Sequence, residues 1–246
     1  MNEPIDRPPP QGDAARVPIL GPATINAPAV VLALVGVLAA SYLVFVIAPP
    51  AIEGRLEFWL TLWPRRTLMW GAAPGGWLGA VGPLFSHIFV HTEFMHFFAN
   101  AGFLLALGAP VAQRMGAGVP GADQMQANGR FIVFFLLAGL VGGIAFMAAH
   151  PAELTFARGA SGAISGLLGA VVRFALRPVR ERMDEPWRLL DLLDRRVVTA
   201  SLVIVLSNIA LGMIPLFGMT IAGEAHIGGY LFGLAAFPLF ALRPPR

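Results

Sequence analysis

Long uncharged stretches separated by short polar segments dominate the chain. The first, residues 28–47, has 20 residues without a charge. At about 1.5 Å per residue a helix of that length crosses a hydrocarbon layer of roughly 30 Å. Further apolar stretches at about 84–107, 131–149, 197–214 and 221–242 are also long enough to span. A weaker one, 159–172, has 14 residues before Arg173 and is shorter than a bilayer requires. The pattern predicts an all-α membrane protein, a bundle of six helices whose short fourth member is enclosed by the others.

The connecting segments complete this outline. Residues 1–27 are polar and proline-rich and predict a disordered tail ahead of a single domain at 28–246. The connection at 48–83 holds Trp59, Trp63, Trp70 and Trp77, four of the five tryptophans. That density suits a segment lying in the headgroup layer, and equally an ordinary aromatic belt. Composition agrees with a membrane protein: 57% of residues are hydrophobic and 13% charged, and 28 glycines permit close helix approach.

All 17 basic residues are arginines, and the net charge of +3 gives no basic surface suited to nucleic acid. With six spans both termini share a side. The tail, the 109–130 and 173–196 loops and the C-terminus carry 13 arginines, whereas the opposite side carries four: Arg55, Arg65, Arg66 and Arg158. The positive-inside rule therefore predicts cytoplasmic termini. Zero cysteines exclude disulfides, thiol catalysis and cysteine metal sites.

This topology has a chemical consequence. The second, fourth and sixth spans enter from the non-cytoplasmic face, so their N-terminal portions share one level. Those portions carry His87, His91, His96 and Asn100, then Ser161, then His226. The four-residue spacing of His87 and His91 predicts one helix face. Intramembrane ionisable residues are costly and by default functional, whereas a lone serine can bond its own helix backbone. A short fourth span leaves room above Ser161 for a recessed, water-filled pocket. Gly162, Gly166 and Ala170 on the fourth span, and Ala225, Gly229 and Gly233 on the sixth, form stripes that would let these two helices meet.

Gly159-Ala160-Ser161-Gly162 within GASGAISG, AHIGGYLFG around His226, and the stretch from His96 to Asn100 resemble the signatures of rhomboid proteases in order, position and spacing. The likeness extends from about residue 30 to the C-terminus. It implies an intramembrane serine endopeptidase with Ser161 as nucleophile and His226 as general base. His96, Asn100 and backbone amides around Ser161 would hold the oxyanion, with no cofactor and no metal. The implied substrates are single-spanning membrane proteins, cut within or beside the transmembrane helix. The implied location is a bacterial inner membrane.

By the same resemblance His87 and His91 support the site structurally. Two departures stand out. Some family members place an aromatic residue four positions after the nucleophile, against the histidine, where this chain has Ser165, so His226 must be oriented otherwise. A Trp-Arg pair often found between the first two helices is also missing. The first, third and fifth spans carry no carboxylate, and Glu224 lies about 200° around a helix from His226. Glu93 and Glu224 therefore read as interfacial or capping residues, and His150 as a loop residue without a role.

Readings of other classes remain at this point. A transporter or channel would also have glycine-interrupted helices with polar groups at depth. It would call for an internal repeat and intramembrane carboxylates, which the chain does not display. A silent rhomboid relative that binds membrane proteins would not require Ser161 and His226. A zinc peptidase is disfavoured because His91 and His96 stand five apart rather than in an HExxH pair.

Overall fold

The computed structural model describes residues 27–69, 72–185, 187–213 and 221–242. The tail expected to be disordered lies outside them apart from Ala27, as does Trp70. The described chain is an all-α bundle; its one extended pairing is an isolated antiparallel bridge between Leu62 and Ala157. Twenty-residue apolar runs form helices here because lipid leaves no other partner for backbone amides and carbonyls.

The helices are α1 (Ala29–Ile47), α2 (Pro50–Leu60), α3 (Pro64–Leu68), α4 (Gly76–Val81), α5 (Pro83–Ser86), α6 (Phe94–Arg114), α7 (Gln124–Ala149), α8 (Ser161–Ala175), α9 (Val179–Asp184), α10 (Arg195–Gly212) and α11 (Gly223–Phe240). Among them α1, α6, α7 and α10 are long and apolar enough to cross a membrane. The apolar helix α8 is shorter, with 15 residues. Ten of those residues are buried, so α8 is the enclosed member of the bundle.

The second expected span is interrupted. α5 is followed by a 3-10 turn at His87–Phe89, and Val90–Glu93 is not helical before α6 begins. His87 and His91 therefore do not share a helix face with each other or with His96, contrary to the four-residue spacing. The reason is tertiary: the His87 carbonyl accepts from Gly159 N–H at 2.8 Å, a bond to the segment leading into α8. The connection at 48–83 resolves into short helices, tied to the same segment by the two Leu62–Ala157 backbone bonds of 3.0 and 2.9 Å.

Packing centres on α7, α8 and α11. Phe131, Phe134, Phe135 and Phe237 are fully buried there, while α1 adds Val31, Leu34 and Leu38 against α6. The two small-residue stripes do meet: a Cβ on Gly229 would fall on the Gly162 carbonyl oxygen, and one on Gly233 on that of Gly166. The stripes also face α7, which sequence periodicity did not indicate. A Cβ on Gly166 would strike Ala138, and one on Gly229 would lie 3.3 Å from the Ala138 carbonyl oxygen.

α10 sits at the edge of the bundle with Val197 as its one buried residue, and Leu202, Val203, Leu206 and Ile209 are exposed along it. Asp194 caps its N-terminus by accepting from Arg196 N–H, and hydrogen bonds from Arg196 pull the Asp194 carboxyl down to about 2. On the same side of the bundle, buried Arg173 donates to the Leu190 and Leu234 carbonyls, each at 2.7 Å. Arg173 thus belongs to α8 and ties it to the 185–194 segment and to α11, where the sequence placed it in the following loop.

Candidate active site

The segment before Ser161 is held residue by residue. Ala157 is bridged to Leu62. Arg158 donates to Glu57 and to Glu93, joining α2, the start of α6 and the start of α8. Burial lowers the Arg158 pKa and the charge of Glu53 opposes that change, but a guanidinium stays protonated in either case. Gly159 N–H bonds the His87 carbonyl, and Ala160 N–H makes a longer contact of 3.4 Å to His91 Nε2. His91 is fully buried and its Nδ1 lies 3.3 Å from the Phe89 carbonyl. An Nδ1–H tautomer satisfies both ends of that ring at once.

Gly159 adopts φ +98°, in the left-handed region where a side chain is disfavoured. It is excluded from bearing one for a second reason, since a Cβ would stand 2.5 Å from both Cε1 and Nε2 of His96. The first glycine of the GASG motif thus turns the chain into α8 and lets the His96 ring lie against the backbone two residues before Ser161. Ser161 is the first residue of α8, where helix amides lack intrahelical partners.

Across the α8–α11 contact, Ser161 Oγ lies 2.7 Å from His226 Nε2. Both residues are half-buried. The approach depends on the glycine contact below them, and the Ala225 backbone carbonyl sits against Gly142 and Gly162. On its other side, His226 Nδ1 lies 2.8 Å from Oδ1 of Asn208 on α10. Sequence reasoning missed Asn208, though an asparagine within an uncharged span whose other polar residues are hydroxyls was a visible signal.

His96 is half-buried, and its Nδ1 stands 3.7 Å from Glu93 Oε2; among the described residues neither atom has a hydrogen-bond partner. Buried Asn100 donates through Nδ2 to the His96 carbonyl at 2.9 Å, one turn back along α6. That bond uses one of the two amide N–H groups. Glu93 occupies the N-cap position of α6 but makes no side-chain cap bond; it serves Arg158 instead. His150, in the α7–α8 loop, bonds Glu153 at 2.9 Å and lies 3.6 Å from Glu224. Glu224 is thereby turned toward the loop and not toward the His226 ring nitrogens.

The arrangement sets the Ser161 hydroxyl against one imidazole nitrogen of His226 and the Asn208 amide oxygen against the other, at the N-terminus of α8. The sequence model of the Rhomboid domain matches residues 78–243. Among curated proteins, RHOMBOID-like protein 5 of Arabidopsis thaliana is 28% identical over 161 residues, covering 65% of this chain and 44% of the relative. Rhomboid protease GluP of Bacillus subtilis is 29% identical over 164 residues, 67% of this chain and 26% of the relative. Rhomboid protease GlpG of Klebsiella pneumoniae is 29% identical over 151 residues, 61% of this chain and 45% of the relative. The matches thus span less than half the length of each of these relatives.

Proposed function

The chain belongs to the rhomboid family, and on that premise we propose that it is an intramembrane serine endopeptidase in which Ser161 is the nucleophile and His226 the general base. The observation that carries this reading is the 2.7 Å contact between Ser161 Oγ and His226 Nε2. A serine hydroxyl is a weak nucleophile until a neighbouring base takes its proton. His226 Nε2 removes that proton as Oγ attacks the scissile carbonyl, then returns it to the leaving amine. The resulting ester is hydrolysed when the same nitrogen accepts a proton from water.

The oxyanion formed in each step requires donors. Since the Gly159 and Ala160 amides are engaged by His87 and His91, the first-turn amides beginning with Ser161 are those left for it, aided by the positive end of α8. His96 and the second N–H of Asn100 are the side-chain donors. Replacing Asn100 by Ala leaves the Ser–His pair in place and should lower turnover on a single-spanning model substrate by roughly 10²-fold. Mass spectrometry should place the cut within or beside the substrate's transmembrane helix, and a chelator should not change the rate. An Asn100→Ala protein with wild-type turnover would remove that residue from the oxyanion site.

We read residues 28–246 as one domain of six membrane-crossing helices, α1, α6, α7, α8, α10 and α11, with both termini cytoplasmic in a bacterial inner membrane. Arginine distribution supports this orientation: 13 lie on the proposed cytoplasmic side and four opposite. A reporter active only outside the cytoplasm should stay silent when fused at the C-terminus and should be active when fused after Ala149. The reverse result would invert the topology. Substrates would be single-spanning proteins whose helix unwinds locally, because a closed helix hides its scissile carbonyl.

A further inference from the structure

We propose that Asn208 is a positioning residue for His226, completing a Ser161–His226–Asn208 relay in which the amide takes the place of an aromatic support. The proposal rests on the dyad reading above. Its starting point is a bond at the other end of the amide. Asn208 Nδ2 lies 2.8 Å from the Ile204 carbonyl one turn back along α10. A carbonyl can only accept, so the amide nitrogen must face it, and this fixes which way the side chain is flipped.

With Nδ2 committed, Oδ1 is the atom 2.8 Å from His226 Nδ1. An amide oxygen also only accepts, so Nδ1 carries the ring proton. In the neutral imidazole Nε2 is then the lone-pair nitrogen, and it is the atom 2.7 Å from Ser161 Oγ. The tautomer required for proton abstraction is therefore dictated from the α10 backbone through two acceptor oxygens. The same logic operates where asparagine stands behind a catalytic histidine on unrelated folds.

Two further features argue against a chance contact. Asparagine is costly on a membrane helix with a mostly exposed, apolar surface, and α10 has only Val197 buried. Backbone approach also holds the position: a Cβ on Gly223, the first residue of α11, would lie 2.5 Å from the Asn208 carbonyl oxygen. The helices are joined again at Ser201 Oγ and Tyr230 OH, 2.7 Å apart. That second tie does not touch His226, so it separates helix docking from histidine orientation.

The test uses the full chain and a fluorophosphonate probe, whose saturation kinetics separate the maximal inactivation rate from the apparent binding constant. Asn208→Leu should lower the maximal rate about tenfold, what one net hydrogen bond provides, with the binding constant unchanged. Leucine suits a membrane helix, so insertion is preserved. Asn208→Asp, which keeps an acceptor oxygen, should restore the rate to within about threefold, and Ser201→Ala should stay within about twofold of wild type. A wild-type rate in Asn208→Leu, no rescue by Asn208→Asp, or an equal loss in Ser201→Ala would each overturn the assignment. If Ser161→Ala is unreactive while Asn208→Leu is fully reactive, this assignment alone is wrong. A wild type that does not label, or labelling that survives Ser161→Ala, removes the dyad and this proposal with it.

Discussion

A fluorophosphonate should label the purified protein at Ser161, Ser161→Ala should abolish labelling, and His226→Ala should bring it near background. Oγ attacks phosphorus, fluoride leaves, and the serine proton passes to His226 Nε2 across the 2.7 Å contact. The phosphonyl oxygen then occupies the position of the oxyanion, so labelling reports the nucleophile, its base and the donor site together. Nucleophile and base act as a unit: in a well-studied serine protease, loss of either costs on the order of 10⁶ in turnover. Cleavage of a transmembrane substrate should fall in parallel. Cleavage surviving Ser161→Ala in a preparation free of other proteases would end the serine mechanism. A wild type that neither labels nor cleaves would favour a silent relative that binds membrane proteins.

The second large effect concerns packing. Gly229→Leu and Gly233→Leu should each separate α11 from α8 and remove most activity even though neither residue carries chemistry. Overpacking a core costs about 1–3 kcal/mol where side chains can adjust. Here the first obstacles are backbone: the Gly162 carbonyl faces Gly229, with the Ala138 carbonyl oxygen 3.3 Å from the added Cβ, and the Gly166 carbonyl faces Gly233. No rotamer change relieves a clash with a carbonyl, so the helix must move as a body. His226 lies one turn before Tyr230 on that helix, and a shift of about 1 Å is enough to cost 10²-fold when reacting atoms must be aligned. Thermal unfolding and labelling should both decline, labelling more steeply. Wild-type labelling by a well-expressed Gly229→Leu protein would mean that α11 tolerates a gap the geometry does not allow for.

Arg158 illustrates how a residue can be legible for one property and opaque for another. In the sequence it is one of four arginines on the less basic side, a datum about orientation. In the folded chain it is half-buried between Glu57 and Glu93, residues 101 and 65 positions away, immediately before the glycine that turns into α8. Glu93 likewise read as an interfacial or capping residue, and only its tertiary neighbours assign it to Arg158 and to the surroundings of His96. An ion pair depends on two side chains meeting, and nothing local to either fixes that.

Hydropathy alone determined that this is a helical membrane protein, where most long helices lie and that the fourth apolar run is shorter than the others. These are one-dimensional consequences of satisfying backbone hydrogen bonds in lipid. Polar residues within apolar runs drew attention to His87, His91, His96, Asn100, Ser161 and His226, and the resemblance to rhomboid proteases narrowed these to the four proposed for the site. Tertiary structure decided what local pattern could not: the break that separates His87 and His91 from α6, the participation of α7 in the glycine contact, and the amide of Asn208 behind His226. A small-residue stripe specifies that something approaches closely, not which helix does. Likewise a hydrogen bond between residues 18 or 65 positions apart exists only once the helices carrying them have been set at a particular depth and rotation.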